Sequence, residues 1–278
     1  HLVRYCIGRF GTNKRCIILD PFCGTGTTPV EAAKHGYPCY GIEANPVAAF
    51  ASKVKTLNGY DSTVLRSHLG YIEKSMRLSF DNLGLSELKE DLCDLETTLT
   101  PVCIKHISSL PDEQRKVIPR GFICPRPLSK VLVVKAILRT IEDKVIRDFF
   151  TLALASLVVR VAGNIGFGPE IYRKKPKGDI SAISNFVSIA AAMIDDIENN
   201  PIAKQATIVK GDSRSIDQCL SRRLLGRIRC VVTSPPYPNE KDYTRSTRLE
   251  SVLLDFICDK HDLRSIKSGL LRSNSRIY

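Results

Sequence analysis

Short apolar runs that stop at a polar residue recur near both ends of the chain. Each predicts a strand, and the first and fourth read as buried. The first runs from Cys16 to Asp20 and the second from Pro38 to Glu43, and both end in an acid. Ala206 to Lys210 and Ile228 to Thr233 are the third and fourth. Between the first two, Thr27 to Lys34 predicts a helix stopped by Gly36, and Asn45-Pro46 opens another with Asn as cap and Pro in its first turn. Further helices are predicted over Ser213 to Leu225 and from about Ser246 to Cys258. The period changes in the middle. Ile146, Phe150, Leu154, Leu157 and Val161 recur every three or four residues, as do Ile183, Val187, Ala190, Ile194 and Ile197, which predicts amphipathic helices. Pro and Gly cluster at 119–127 and 164–178, which read as loops. The pattern is that of an α/β fold with a mostly parallel, doubly wound sheet, interrupted by a large helical insertion. Its expected divisions are 1–60, 61–204 and 205–278.

Composition narrows the class. With 278 residues, 43% hydrophobic and 25% charged, the chain has an ordinary globular balance and can bury a sizeable core. No apolar run approaches the ~18 residues of a membrane span, and the start, His1-Leu2-Val3-Arg4-Tyr5, has no signal-peptide core. Of the ten cysteines no two form a Cys-x-x-Cys pair, and Cys103 with His106 is a lone half-site. No metal site is expected; the thiols read as small buried hydrophobes of a cytoplasmic protein. The net charge of +12 points toward a polyanionic partner.

The turn after the first strand is Asp20-Pro21-Phe22-Cys23-Gly24-Thr25-Gly26-Thr27-Thr28. Its glycines allow a tight bend and close approach of a ligand, at the strand end where open α/β sheets bind ligands. It completes neither G-x-G-x-x-G nor a phosphate loop, and Asp20 opposes a pyrophosphate. Asp20 suits a cationic ligand such as S-adenosylmethionine, whose amino group it would pair. Glu43, ending the next strand, suits the two ribose hydroxyls of an adenosine.

The fourth strand stops at Thr233-Ser234-Pro235-Pro236-Tyr237. Two prolines remove two backbone donors and present carbonyls. An exocyclic amino group on a nucleobase needs such acceptors. Its nitrogen is conjugated with the ring, so taking up its hydrogens localises the lone pair. The Ser234 hydroxyl and the Pro235 carbonyl can each accept one, and Tyr237 offers a face on which an extruded base stacks.

The two motifs together resemble the amino-methylating DNA methyltransferases, which modify cytosine N4 or adenine N6. The resemblance covers 1–55 and 205–258 and implies a Rossmann-like, S-adenosylmethionine-dependent methyltransferase fold. It places Phe22, Gly24, Gly26 and Thr27 around the methionine moiety, Glu43 on the ribose and Asp212 near the adenine. Ser234, Pro235, Pro236 and Tyr237 match the catalytic motif. Ser in its first position is the form common in cytosine-N4 enzymes, so cytosine N4 is the expected target. Adenine N6 or RNA is the alternative, and a nucleic-acid-binding fragment that no longer catalyses is another. Duplex DNA is the expected partner, with a cognate restriction endonuclease or a second chain completing the fold as further candidates. A truncated or split protein is expected, since four strands are placed where this fold has seven and no initiator Met is present. Within the insertion, Tyr172, Arg173, Lys174, Lys175 and Lys177 form a basic loop that could straddle phosphates, as could Arg115, Lys116, Arg120 and Arg126. The reading requires one spatial fact: the turn after Asp20 and the prolines after Ser234 must end neighbouring strands and face a shared cleft.

Overall fold

A computed structural model describes residues 2–10, 13–87, 95–168, 171–236 and 243–270. Among them six strands run in chain order: β1 (Ile17–Asp20), β2 (Cys39–Glu43), β3 (Ile165–Gly166), β4 (Tyr172–Arg173), β5 (Thr207–Lys210) and β6 (Ile228–Val231). The chain divides into two compact units. One comprises 1–60, 200–247 and 261–278, and the other 61–199 and 248–260.

The first unit is built on a four-stranded sheet in the order β5-β2-β1-β6. All its pairings are parallel, with Asp20 opposite Gly41, Glu43 opposite Lys210 and Leu19 opposite Val231. The carboxyl ends of all four strands therefore lie together. β1 is buried at every position, as its unbroken apolar run requires. Ile7, Cys16, Ile18, Ala32, Cys39, Ala206 and Cys230 form one core cluster, in which complete burial of a side chain such as Ile18 contributes about 2 kcal/mol. The buried Cys23 thiol is pushed up to about 12 by loss of solvent, so it packs as a hydrophobe.

The helices after β1 and β2 begin where the sequence predicts, and the first also ends there. Thr27–Lys34 follows Gly26 in a left-handed conformation, and Asn45 caps Pro46–Lys55 by accepting from the Val47 and Ala48 amides. The predicted helix over Ser213 to Leu225 is broken instead. It becomes two single 3-10 turns (Ser213–Ser215 and Arg222–Leu224) around a short helix, Ile216–Cys219. Asp212 and Ser221 each accept from an amide two residues on, which competes with a continuous helix.

The second unit is helical. Its longest helices are Ser62–Asn82, Pro125–Arg139, Lys144–Leu157 and Ala182–Asn199. Phe80, Phe149, Phe150 and Phe186 are fully buried, with Phe149 and Phe150 edge to face at 5.2 Å. Lys130 is buried here without exposure. Its ammonium donates to the Ile180 carbonyl and pairs with Glu87 and Asp179. Glu87 also accepts from the Ala182 and Ile183 amides, so one ion network closes the start of the last long helix. The helix predicted from Ser246 to Cys258 is realised as Tyr243–Ser246 and Arg248–Leu253. It stops at Asp255, which adopts a positive φ of 63° and whose carboxylate is held by Lys135 and Arg139.

Candidate active site

The site is assembled at the carboxyl ends of β1, β2, β5 and β6. Gly24 has φ +52° and Gly26 φ +96°, a region in which L side chains are strained. A Cβ on Gly26 would also fall 2.5 Å from Ser52 Oγ, whereas one on Gly24 would meet nothing. Gly26 is thus required by packing, and Gly24 keeps a face of the turn open to a ligand.

The turn is fastened to β2 by Glu43. One carboxylate oxygen accepts from the Gly24 amide at 2.8 Å and the other from the Asn45 amide at 2.7 Å. Cys23 N–H donates to the Ile42 carbonyl. Asp20 accepts from the Phe22 amide at 3.1 Å and is 4% exposed. Burial raises its pKa, and bonds from Thr233, Thr28 and Phe22 oppose the rise. Glu43 is also raised, first by burial and finally by the charge on Asp20, against the pull of its amide donors. Two acids that feel each other in a poorly solvated turn form a place where a cation is stabilised.

The proline segment enters from the neighbouring strand. Val232 N–H donates to the Leu19 carbonyl at 3.0 Å, and Thr233 Oγ1 donates to Asp20 Oδ1 at 2.7 Å. Ser234 and Pro235, next along the chain, are exposed, and Pro236 is half-buried. Tyr237 lies outside the described residues. The glycine turn and the proline segment therefore end adjacent parallel strands, as the sequence reading required, and a hydrogen bond joins them. Thr233 was read from sequence only as the flank of a motif. Its signal was a hydroxyl one step past a strand whose predicted neighbour ends in an acid.

β5 brings the third segment in. Gly211 N–H donates to the Glu43 carbonyl, and Ser213 Oγ donates to the Pro21 carbonyl. Asp212 is held in a forked ion pair by Arg214, which depresses its pKa and occupies both carboxylate oxygens. Asp212, expected from the sequence to lie near an adenine, is therefore already paired by this arginine. Asn45 contributes a fourth tie, since its Nδ2 donates to Thr247 Oγ1 at 2.9 Å. The proline segment is thus bound at Thr233 to the acid of β1 and beyond it, at Thr247, to the helix cap after β2.

In the helical unit, Tyr172 and Arg173 form the exposed strand β4, paired antiparallel with β3. Lys174 and Lys175 are exposed. Lys177 differs from them, because its ammonium donates to the Val161 and Gly163 carbonyls and its pKa is lowered by partial burial and by Lys174. Arg126 pairs with Asp179 and Lys116 with Glu113.

Residues 1–53 match a family model described as DNA methylase. That stretch holds β1, the glycine turn, β2 and most of the helix after Asn45. A curated relative, the Type II methyltransferase M.MvaI of Kocuria varians, is 29% identical over 166 residues, which is 58% of this chain and 31% of the relative. The chain thus spans about a third of that relative's length. No solved structure matches the chain significantly. No helix among the described residues is long and apolar enough to cross a membrane. The parallel sheet with its flanking helices fits a Rossmann-like methyltransferase fold, and the chain is similar over these stretches to DNA methylases.

Proposed function

We propose that the chain takes part in transfer of a methyl group from S-adenosylmethionine to an exocyclic amino group in duplex DNA, with cytosine N4 as the target. The observation that carries this reading is the 2.7 Å bond from Thr233 to Asp20, which joins a turn suited to a cationic nucleoside to a segment suited to an amino group. The residues of the turn fit the cofactor. Asp20 and Glu43 are two carboxylates whose burial is offset by a bound ammonium and by ribose hydroxyls, and Gly24 leaves room for approach. S-adenosylmethionine supplies an electrophilic methyl group when bound.

The chain's own groups do the remaining work. Ser234 Oγ and the Pro235 carbonyl accept the two amino hydrogens, which turns the nitrogen lone pair out of conjugation and toward the methyl carbon. Thr233 fixes the position of that acceptor pair relative to Asp20. In the transfer a nitrogen–carbon bond would form as the sulfonium carbon–sulfur bond breaks, the sulfur leaving as a neutral thioether and the surplus amino proton passing to solvent; the chain's groups contribute alignment and stabilise the positive charge on nitrogen. The preference for cytosine N4 rests on Ser at the first motif position. The exposed cations Arg173, Lys174 and Lys175 support duplex DNA as the partner through phosphate contacts.

The test is incubation of the protein with labelled S-adenosylmethionine and duplex DNA, followed by nucleoside mass analysis. N4-methylcytosine is expected. N6-methyladenine, or label in RNA alone, would overturn the target, and cofactor binding without product would overturn catalysis by this chain.

A further inference from the structure

We infer that the first unit carries a phosphate-binding site at the amino ends of β1 and β6, formed by Arg15, Arg227 and Arg229, whose occupant is the phosphodiester backbone of DNA. The inference extends the DNA reading above to a face of the molecule that the methyl-transfer site does not use.

A cavity of about 550 Å³ is lined by Phe10, Asn13, Arg15, Cys16, Gly226 and two further arginines, Arg227 and Arg229. It sits where Ile17 pairs with Ile228, at the opposite end of these strands from Asp20 and Thr233. No acid lines it, and among the described residues none of the three guanidinium groups meets a carboxylate. Converging like charges around one cavity is unfavourable until an anion enters it. Guanidinium forks match phosphate oxygens in geometry, so a phosphate is the anion this lining suits best.

The arginines are also held in place by their backbones. The Arg15 amide donates to Asn13 Oδ1 at 2.9 Å and the Cys16 amide to the Asn13 carbonyl, which closes a tight turn. On the other side Gly226, at φ +70°, turns the chain into Arg227, whose amide donates to the Leu224 carbonyl. Arg229 is fixed by β6 itself. Arg222 and Arg223, both exposed, continue the positive surface on the chain leading into the cavity. Along the strand the lining residue Cys16 lies four residue steps from Asp20, about 13 Å. That is the axial rise of roughly four base pairs, so one DNA strand can reach both places.

The experiment measures binding of a fluorescent duplex to the full chain as a function of salt. The variant Arg15→Gln/Arg227→Gln/Arg229→Gln is expected to flatten the slope of log K against log salt by about 2 to 3, near 0.9 for each phosphate released. Arg15→Gln/Arg227→Gln, which leaves the strand untouched, should give about two thirds of that change. Removing three exposed cations elsewhere in this unit (Lys53, Lys204 and Lys210, each to Gln) should leave the slope unaltered. An unchanged slope in the first two variants overturns the inference, and so does an equal flattening in the third. Inorganic phosphate bound by the parent protein without any slope change would overturn the DNA occupant. Calorimetric affinity for S-adenosylmethionine, expected to stay constant, reports on folding. A flattened slope in a protein that methylates nothing keeps this site and rejects the methyl-transfer reading; intact methylation with an unchanged slope does the reverse.

Discussion

The turn after β1 and the segment after β6 leave adjacent parallel strands, yet they are built in opposite ways. The first is closed on itself. The amides of Phe22, Cys23, Gly24 and Gly26 all donate within the protein, and Asp20 and Cys23 are buried. The second is presented outward. Thr233, Ser234 and Pro235 are exposed, and the ties described for its start are the Val232 amide and the Thr233 hydroxyl. Under the proposed function, a turn that holds a ligand gains from donors already spent on its own acids, because those donors fix the carboxylates and oppose the rise in pKa that burial causes. On the same proposal, a segment that takes hydrogens from a substrate gains from acceptors turned to solvent beside prolines that donate nothing.

The comparison can be broken at its outward side first. Ser234→Ala removes an acceptor used only on the reacting amino group. It should lower kcat on the order of 100-fold while leaving the dissociation constant for S-adenosylmethionine within about twofold. Equal losses in both, measured by transfer rates and calorimetry, would mean that the segment serves binding. Glu43→Gln attacks the inward side. An amide there turns an NH₂ group toward one of two backbone donors and strands it, at a cost of about 1–3 kcal/mol, so cofactor affinity should fall roughly 10- to 100-fold.

Thr233→Val cuts the tie between the two sides and should lower kcat about tenfold, with Thr233→Ser restoring it. The Thr233 bond is the largest influence lowering the Asp20 pKa, so its loss raises that pKa further. Cofactor binding needs the carboxylate, which is lost as pH falls through the folded-state value. The acid limb of binding should therefore move to higher pH in Thr233→Val and return in Thr233→Ser.

The smallest effect sharpens what the donors do for Asp20 and Glu43. Glu250, in the helical unit, is buried and raised to about 7 by desolvation, with little to oppose it. Its folded-state pKa lies above its unfolded value, so the folded protein holds the extra proton. This contributes stability that is complete below the unfolded pKa and is lost as pH rises through about 7. Thermal unfolding should show a loss of about 1 kcal/mol between pH 6 and pH 8 from this group, absent in Glu250→Gln. If Glu250→Gln keeps the same pH dependence, burial opposed by a single backbone donor is not what sets this carboxyl apart.

Much of this site was legible before any coordinates. The acids ending β1 and β2, the two glycines and the proline pair announce themselves through local order: an apolar run, a punctuating residue, then a turn. The cap at Asn45 was readable for the same reason. The failures were equally physical. The stretch from Ser213 to Leu225 has helical spacing, but Asp212 and Ser221 divert its amides. Lys177 looked like its neighbours in a basic loop, and only the folded chain bends its ammonium back onto two carbonyls.

The sequence by itself determined where β1, β2 and β5 stop and which residues follow them, because a strand and its turn are specified by neighbouring residues. Tertiary structure alone decided which ends meet. The order β5-β2-β1-β6, the pairing of Thr233 with Asp20, the capture of Asp212 by Arg214 and the convergence of Arg15 with Arg227 and Arg229 depend on packing. Apart from the Asp212–Arg214 pair, these contacts join residues far apart in the chain. Their free energy comes from closing long loops around a shared core, and no local pattern records it.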